Sequence, residues 1–163
     1  MATREAGPAA PPSRPFLRIP VPWVYLLGFL LGVGLQVLAP VRVHSPGAVT
    51  ALGVCGGVTF LLGAALAGWG WWLFKRAGTT AVPGEVPRAL VTTGPYRLTR
   101  NPMYTGLAVA YVGDAIAIPV FWALVFLPLV LAYVNWSVIP VEEASLNGVQ
   151  GYDAYRAKVR RWI

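Results

Sequence analysis

The residues best equipped for chemistry fall into two groups that lie far apart along the chain. The first is the run Gly94-Pro95-Tyr96-Arg97-Leu98-Thr99-Arg100-Asn101-Pro102-Met103-Tyr104-Thr105-Gly106, and the second is the adjacent carboxylate pair Glu142-Glu143. The first group sets two arginines and an Asn-Pro pair directly before an apolar segment. Asn at the N-cap with Pro at the first helical position starts a helix favourably. Such a helix start presents unpaired N–H groups and a positive dipole end, which together can hold an anion. Asn101 can act as cap and as ligand contact at once, because a cap also sets the geometry of those N–H groups. Glu142 and Glu143 follow Pro140 and an apolar run. They either begin a new helix, where acidic side chains suit the dipole, or meet a cationic ligand, accept hydrogen bonds from ribose hydroxyls, or serve as a base.

Several other chemistries are excluded. No strand-like alternation leads into a Gly-x-Gly-x-x-Gly turn, and no Walker-type phosphate loop is present. The only histidine, His44, sits in a loop with no acid near it in sequence, so a Ser-His-Asp arrangement is unsupported. A single cysteine, Cys55, lies inside an apolar run. One His and one Cys give neither a disulfide nor a His- or Cys-built metal centre.

The elements that must position these groups are membrane helices. The chain is 56% hydrophobic and only 12% charged, against about 25% charged residues in a soluble protein. Four apolar segments run roughly from Pro22 to Ala39, Ala48 to Phe74, Met103 to Ile118 and Val120 to Ile139. Crossing a bilayer takes about 20 helical residues, so the third is short and reads as tilted, re-entrant or one arm of a tight hairpin ended by Pro119. Arg14 and Arg18 before the first segment imitate a secretory signal, but the run is long for a signal core, which favours a retained helix. Residues 1–18, rich in Ala and Pro, read as a disordered cytoplasmic arm. Residues 19–163 then form one all-α polytopic bundle of about four transmembrane helices. After Pro140, the stripe Tyr152, Tyr155, Val159 and Trp162 predicts a short amphipathic helix on the membrane surface, able to cover a pocket.

Charge placement sets the orientation. The net charge of +7 comes from residues flanking the apolar runs, not from a patch, so anionic lipid headgroups are the expected partner and nucleic acid is not. Arg4, Arg14 and Arg18, then Lys75, Arg76, Arg88, Arg97 and Arg100, then Arg156, Lys158, Arg160 and Arg161 fall on one side, and only Arg42 on the other. The positive-inside rule puts both termini and the 75–102 loop in the cytoplasm, as in a bacterial inner membrane or another plasma membrane. Gly28, Gly32, Gly53, Gly56, Gly57 and Gly63 permit close helix contact, and packing is the favoured reading. Trp69, Trp71 and Trp72 before Lys75 and Arg76 read as an interfacial anchor. Asp114 either faces a cavity or, with Gly113, marks a turn.

The combination Gly94-Pro95-Tyr96-Arg97, Arg100-Asn101-Pro102-Met103-Tyr104 with Gly106, Glu142-Glu143 with Leu146, Gly151-Tyr152 with Tyr155, and the closing Val159-Arg160-Arg161-Trp162 resembles the isoprenylcysteine carboxyl methyltransferase and phospholipid methyltransferase superfamily. The resemblance covers roughly residues 89–163. It implies a membrane enzyme that uses S-adenosyl-L-methionine, held by residues 89–106 and 140–163. Implied cofactor contacts are Tyr96, Arg97, Arg100, Asn101, Pro102, Tyr104, Gly106, Glu142, Glu143 and Leu146, with Glu142, Glu143 and Arg100 as the catalytic set. The implied acceptor is lipid-like or otherwise hydrophobic, and no protein partner is implied. Isoprenylcysteine enzymes typically carry His where this chain has Asn101. Asn cannot titrate, so an acid–base role of that His does not transfer, and Asn here resembles the phospholipid N-methyltransferases. Two other classes remain as alternatives: an NADPH-dependent membrane reductase, and a non-enzymatic scaffold whose arginines only bind anionic lipid.

Overall fold

A computed structural model describes residues 20–41, 46–78 and 89–163. The expected N-terminal arm, Arg42, His44 and Arg88 lie outside the described residues. Among the described residues every regular element is a helix. Helix α1 is Val21–Leu38, opened by Pro22 in its first turn. Helix α2 is Val49–Arg76, ending on Lys75 and Arg76. Helix α3 is Pro102–Ala117. Helix α4 runs Phe121–Leu146, made of an α-helical part Phe121–Tyr133, a π-helical turn Val134–Val138 and a second α-helical part Ile139–Leu146. Helix α5 is Tyr152–Lys158.

Helices α1, α2 and α4 are long and apolar enough to cross a membrane. At 1.5 Å per residue α3 reaches only about 24 Å, short of a hydrocarbon core of about 30 Å. It forms a tight hairpin with α4 through Ile118–Val120, where the Val120 N–H donates to the Ala115 carbonyl. The surface is inverted relative to a soluble protein: Leu27, Leu30, Leu61, Leu62 and Leu129 are all exposed, as expected where lipid is the solvent. Trp71 and Trp72 carry Lys75 and Arg76 over their rings, which fits an interfacial anchor.

The helices pack in two pairs, α2 on α3 and α1 on α4, with α1 and α4 also touching α3. Glycine decides the first pair. A Cβ on Gly63 would lie 2.3 Å from the Ala110 amide nitrogen, and one on Gly106 would lie 2.5 Å from that of Ala67. The two backbones therefore touch, which only glycine allows. Gly113 belongs to the same seam, against Phe60 and Gly56, so it marks no turn, and Asp114 sits half-buried within α3. Gly32 plays the same part between α1 and α4, where a Cβ would lie 2.5 Å from the Ala123 backbone, while one on Gly28 would meet the Val130 side chain at 2.5 Å. Tyrosines tie the pairs together: the Tyr25 hydroxyl donates to the Tyr104 carbonyl (3.0 Å) and the Tyr111 hydroxyl to the Ala123 carbonyl (2.8 Å).

Two expectations are corrected. Pro140 does not end the fourth helix. Proline has no N–H and its ring crowds the carbonyl four residues back, here Trp136. The π-turn Val134–Val138 widens the helix at that carbonyl, and the helix continues to Leu146. Glu142 and Glu143 consequently stand inside α4. The tail helix is also shorter than its apolar stripe: it stops at Lys158, and Val159 and Trp162 lie on non-helical chain beyond it. The stripe packs inward, with Tyr152 2% exposed.

Candidate active site

Gly94 has a φ of +59°, a left-handed conformation, and a Cβ there would meet Leu73 Cδ1 at 2.9 Å. It turns the chain into the 3₁₀ turn Gly94–Arg97, which packs on α2. That turn buries Tyr96 edge-on against Phe74, with ring centroids 5.4 Å apart, and leaves Arg97 exposed.

Asn101 occupies the N-cap position of α3, yet its side chain makes no capping hydrogen bond. Its Nδ2 donates instead to the Arg161 carbonyl (3.0 Å), which also accepts from Thr99 Oγ1 (2.9 Å). The Arg100 N–H donates to the Arg160 carbonyl (2.9 Å). The C-terminal chain thus lies along residues 99–101 and takes the amide that local sequence would assign to the cap. Pro102 opens the helix as expected and is buried. The amides of Met103 and Tyr104 have no intrahelical acceptor by position.

From α4 come the two carboxylates. Consecutive helical residues diverge by about 100°, so Glu142 and Glu143 serve different neighbours. Glu142 Oε1 accepts a short hydrogen bond from the Tyr104 hydroxyl. Glu143 Oε1 lies 3.1 Å from Arg100 Nη1, while Arg161 donates from Nε (3.2 Å to Oε1) and from Nη2 (2.5 Å to Oε2). The Arg100 and Glu143 side chains are 13% exposed and that of Arg161 is 30% exposed. One carboxylate is therefore clamped between two guanidinium groups in a poorly hydrated place, where charge-assisted hydrogen bonds are strong. Asn135, in the π-turn, accepts on Oδ1 from Trp162 Nε1 (3.0 Å) and Arg161 Nη1 (3.4 Å).

Residues remote in sequence, Arg100, Asn101, Tyr104, Glu142 and Glu143, meet at one end of the bundle. Leu146 is half-buried at the end of α4. Gly106 does not join them, since its missing side chain faces α2. Sequence reasoning did not select Asn135, Arg161, Thr99 or Tyr155 for the site. A lone amide inside an apolar span was the available signal for Asn135; nothing local marked Thr99.

The tyrosines of the loop and tail are held in their neutral form. Burial above all pushes the Tyr155 hydroxyl up to about 12, with Arg100 opposing and Tyr152 adding to the rise. Burial, then the nearby Glu142 and Tyr155, raises Tyr96 further still. Tyr155 donates to the Tyr96 carbonyl (2.7 Å). Both phenols therefore stay protonated near neutral pH. Arg100 Nε and the Tyr96 hydroxyl are buried without a hydrogen-bond partner, and the Tyr152 hydroxyl lies beside Arg100 without a directed bond. Buried polar groups left unpaired are costly, and this set of donors and acceptors fits a ligand carrying a carboxylate and hydroxyl groups.

A sequence model of the phospholipid methyltransferase family matches residues 52–152. No curated protein and no solved structure matches the chain. The family match spans well over half of the chain and includes α3, most of α2, all of α4 and every carboxylate and arginine of the cluster except Arg161. The chain belongs to the phospholipid methyltransferase family.

Proposed function

We propose that this member of the phospholipid methyltransferase family transfers a methyl group from S-adenosylmethionine to a lipid-like acceptor at the end of the bundle where α3, α4 and the C-terminal chain meet. The observation that carries the reading is the part-buried Arg100–Glu143–Arg161 cluster beside the Tyr104–Glu142 pair. Beyond tying the C-terminal chain to α3 and α4, this cluster leaves Arg100 Nε and the Tyr96 hydroxyl without a partner, which supports a polar ligand among them. Bound there, S-adenosylmethionine supplies an electrophilic methyl group on a sulfonium centre.

The protein's part is holding, orienting and excluding water. Arg100 and the open amides at the start of α3 would hold a carboxylate. The unpaired hydroxyls of Tyr96 and Tyr152 would bind ribose or amino groups. Glu143, fixed by two arginines, keeps Arg100 in place. Glu142 is held by one donor only and is the group placed to take a proton from an amine acceptor at its nitrogen. A carboxylate or thiolate acceptor would need no such base. The acceptor would approach sideways from the hydrocarbon, on the cytoplasmic side if the basic flanks orient the chain as expected.

The test is calorimetric titration of the detergent-solubilised protein with S-adenosylhomocysteine, with NADPH as the control. Saturable binding of the first and none of the second is expected, with Arg100→Ala weakening binding at least tenfold. Binding of NADPH alone would replace this reading by a reductase, and binding of neither by a scaffold.

A further inference from the structure

The last residues of the chain reach the cluster with no helix to hold them, so side-chain contacts must fix where Arg161 stands. Its carbonyl is tied to Thr99 and Asn101, and the Arg160 carbonyl to the Arg100 N–H. Those bonds place the backbone and leave the guanidinium free to swing. Glu143 binds that guanidinium at Nε and Nη2, and Asn135 Oδ1 accepts from the remaining nitrogen, Nη1, at 3.4 Å. The same oxygen accepts from Trp162 Nε1 at 3.0 Å. One amide oxygen therefore holds two consecutive residues of the tail.

The π-turn explains how Asn135 comes to do this. Glu143 follows Asn135 by eight residues. In an unbroken α-helix eight residues turn about 800°, and the two side chains would diverge by about 80°. Between them the Ile139 N–H donates to the Val134 carbonyl, five residues back. A turn of that kind takes up one extra residue. Eight residues then cover the rotation of seven in an α-helix, about 20° short of two turns. Asn135 and Glu143 thus share one face of α4, and a single guanidinium can reach both. Trp162 borders an apolar groove on that face with Leu131 and Ala132, one turn before Asn135. Arg100 makes none of these contacts with Asn135, but it shares Glu143 with Arg161. Where Arg161 stands therefore bears on where Arg100 stands. We propose that Asn135 is a positioning residue of the candidate active site: through Arg161 and Trp162 it fixes the C-terminal chain across residues 99–101 and so keeps Glu143 and Arg100 set for the ligand. The effect on cofactor binding rests on the methyltransferase reading above; the hold on the tail does not.

The experiment compares the full detergent-solubilised chain with Asn135→Leu, Asn135→Asp, Trp162→Phe and the double variant Asn135→Leu/Trp162→Phe. One readout needs no ligand: hydrogen exchange at the Arg100 amide, whose acceptor is the Arg160 carbonyl. The other is calorimetric affinity for S-adenosylhomocysteine. Asn135→Leu is expected to speed that exchange at least fivefold and to weaken binding about tenfold, with exchange along α2 unchanged. Asn135→Asp keeps the acceptor oxygen and should stay within threefold of the parent in both readouts. Trp162→Phe keeps a ring and loses the N–H, and should change both at least twofold in the same direction. The double variant should be no worse than Asn135→Leu alone, because both substitutions break one contact. If Asn135→Leu does not fold, Trp162→Phe tests the same bond from its other end. Parent-like exchange at Arg100 in both single variants would overturn the hold on the tail. Weakened binding with parent-like exchange, or effects that multiply in the double variant, would make Asn135 a ligand contact and overturn the positioning role. An Asp variant as poor as the Leu variant would overturn it as well. Exchange that responds as expected in a protein that binds no S-adenosylhomocysteine would sink the methyltransferase reading and uphold the hold on the tail.

Discussion

The two sides of α3 are held by opposite means. Toward α2 it presents Gly106, Ala110 and Gly113 to Gly63, Gly56 and their neighbours, backbone against backbone. Toward α4 and the tail it presents Asn101 and Tyr104, with Arg100 just before it, to carboxylates and carbonyls. The seam has no volume to spare and contributes no chemistry. The corner is built of charges and hydrogen bonds that give chemistry and demand partners. A short helix is thus fixed sterically on one face so that its N-terminal end can be held to a chemical geometry on the other. The first arrangement fails when atoms are added, the second when they are removed.

The largest effect should come from adding atoms to the seam. Gly63→Leu would place a side chain where the Ala110 backbone already is. Overpacking usually costs about 1–3 kcal/mol and occasionally more, and here neither backbone can give way. No monodisperse protein is expected by size-exclusion chromatography in detergent. A folded variant with an ordinary melting temperature would show that the two helices are not in contact there.

Next comes removal of the shared carboxylate. Glu143→Ala leaves Arg100 and Arg161 facing each other without a counter-ion. Breaking a buried pair costs about 3–5 kcal/mol, and the partial exposure of Arg161 places this one at the lower end. The expected result is a folded but less stable protein, with a thermal midpoint lowered by several degrees and S-adenosylhomocysteine affinity reduced more than tenfold. Removing Arg161 as well should recover part of the stability but not the affinity, because the strain goes while the clamp on Arg100 stays lost.

Tyr104→Phe separates chemistry from architecture more finely. The ring stays and only the hydroxyl that donates to Glu142 is lost. A hydrogen bond to a charged group is worth about 1.5–3 kcal/mol. If Glu142 takes the acceptor's proton, misplacing it should lower kcat about tenfold and lower the thermal midpoint by several degrees, while leaving S-adenosylhomocysteine affinity close to the parent's. An equal loss in affinity would assign Tyr104 and Glu142 to cofactor binding.

How far these two faces were legible in the sequence differs with the kind of interaction. The spans of α1 and α2 and the shortness of α3 follow from apolar run length, which is local. The nearness of Arg100 to Glu143 was reachable only through a familiar motif order, since no local rule joins residues 43 apart. Asn101 shows the limit most clearly. Its type and position call for a cap, and tertiary structure diverts its amide to the Arg161 carbonyl. Pro140 shows the same limit in reverse, because a breaker by local rule is absorbed by a π-turn that only the packed helix reveals. For the glycines, sequence gave the residue type and not which of them touch a neighbour.

That last distinction yields the smallest effect and the sharpest control. Gly53 and Gly57 share α2 with Gly56 and Gly63, and spacing alone cannot tell them apart. A Cβ at Gly53 or Gly57 meets nothing within 4 Å. Glycine within a helix is less stable than alanine by roughly 0.5–1 kcal/mol, through the freedom it loses on folding. Gly53→Ala should therefore leave stability unchanged or slightly raised in thermal denaturation, against the collapse expected at Gly63. If Gly53→Ala proved as damaging as a seam substitution, the glycines of α2 would be acting through backbone flexibility or through a second partner on the lipid-facing side. The contrast between a steric face and a chemical face of α3 would then lose its basis.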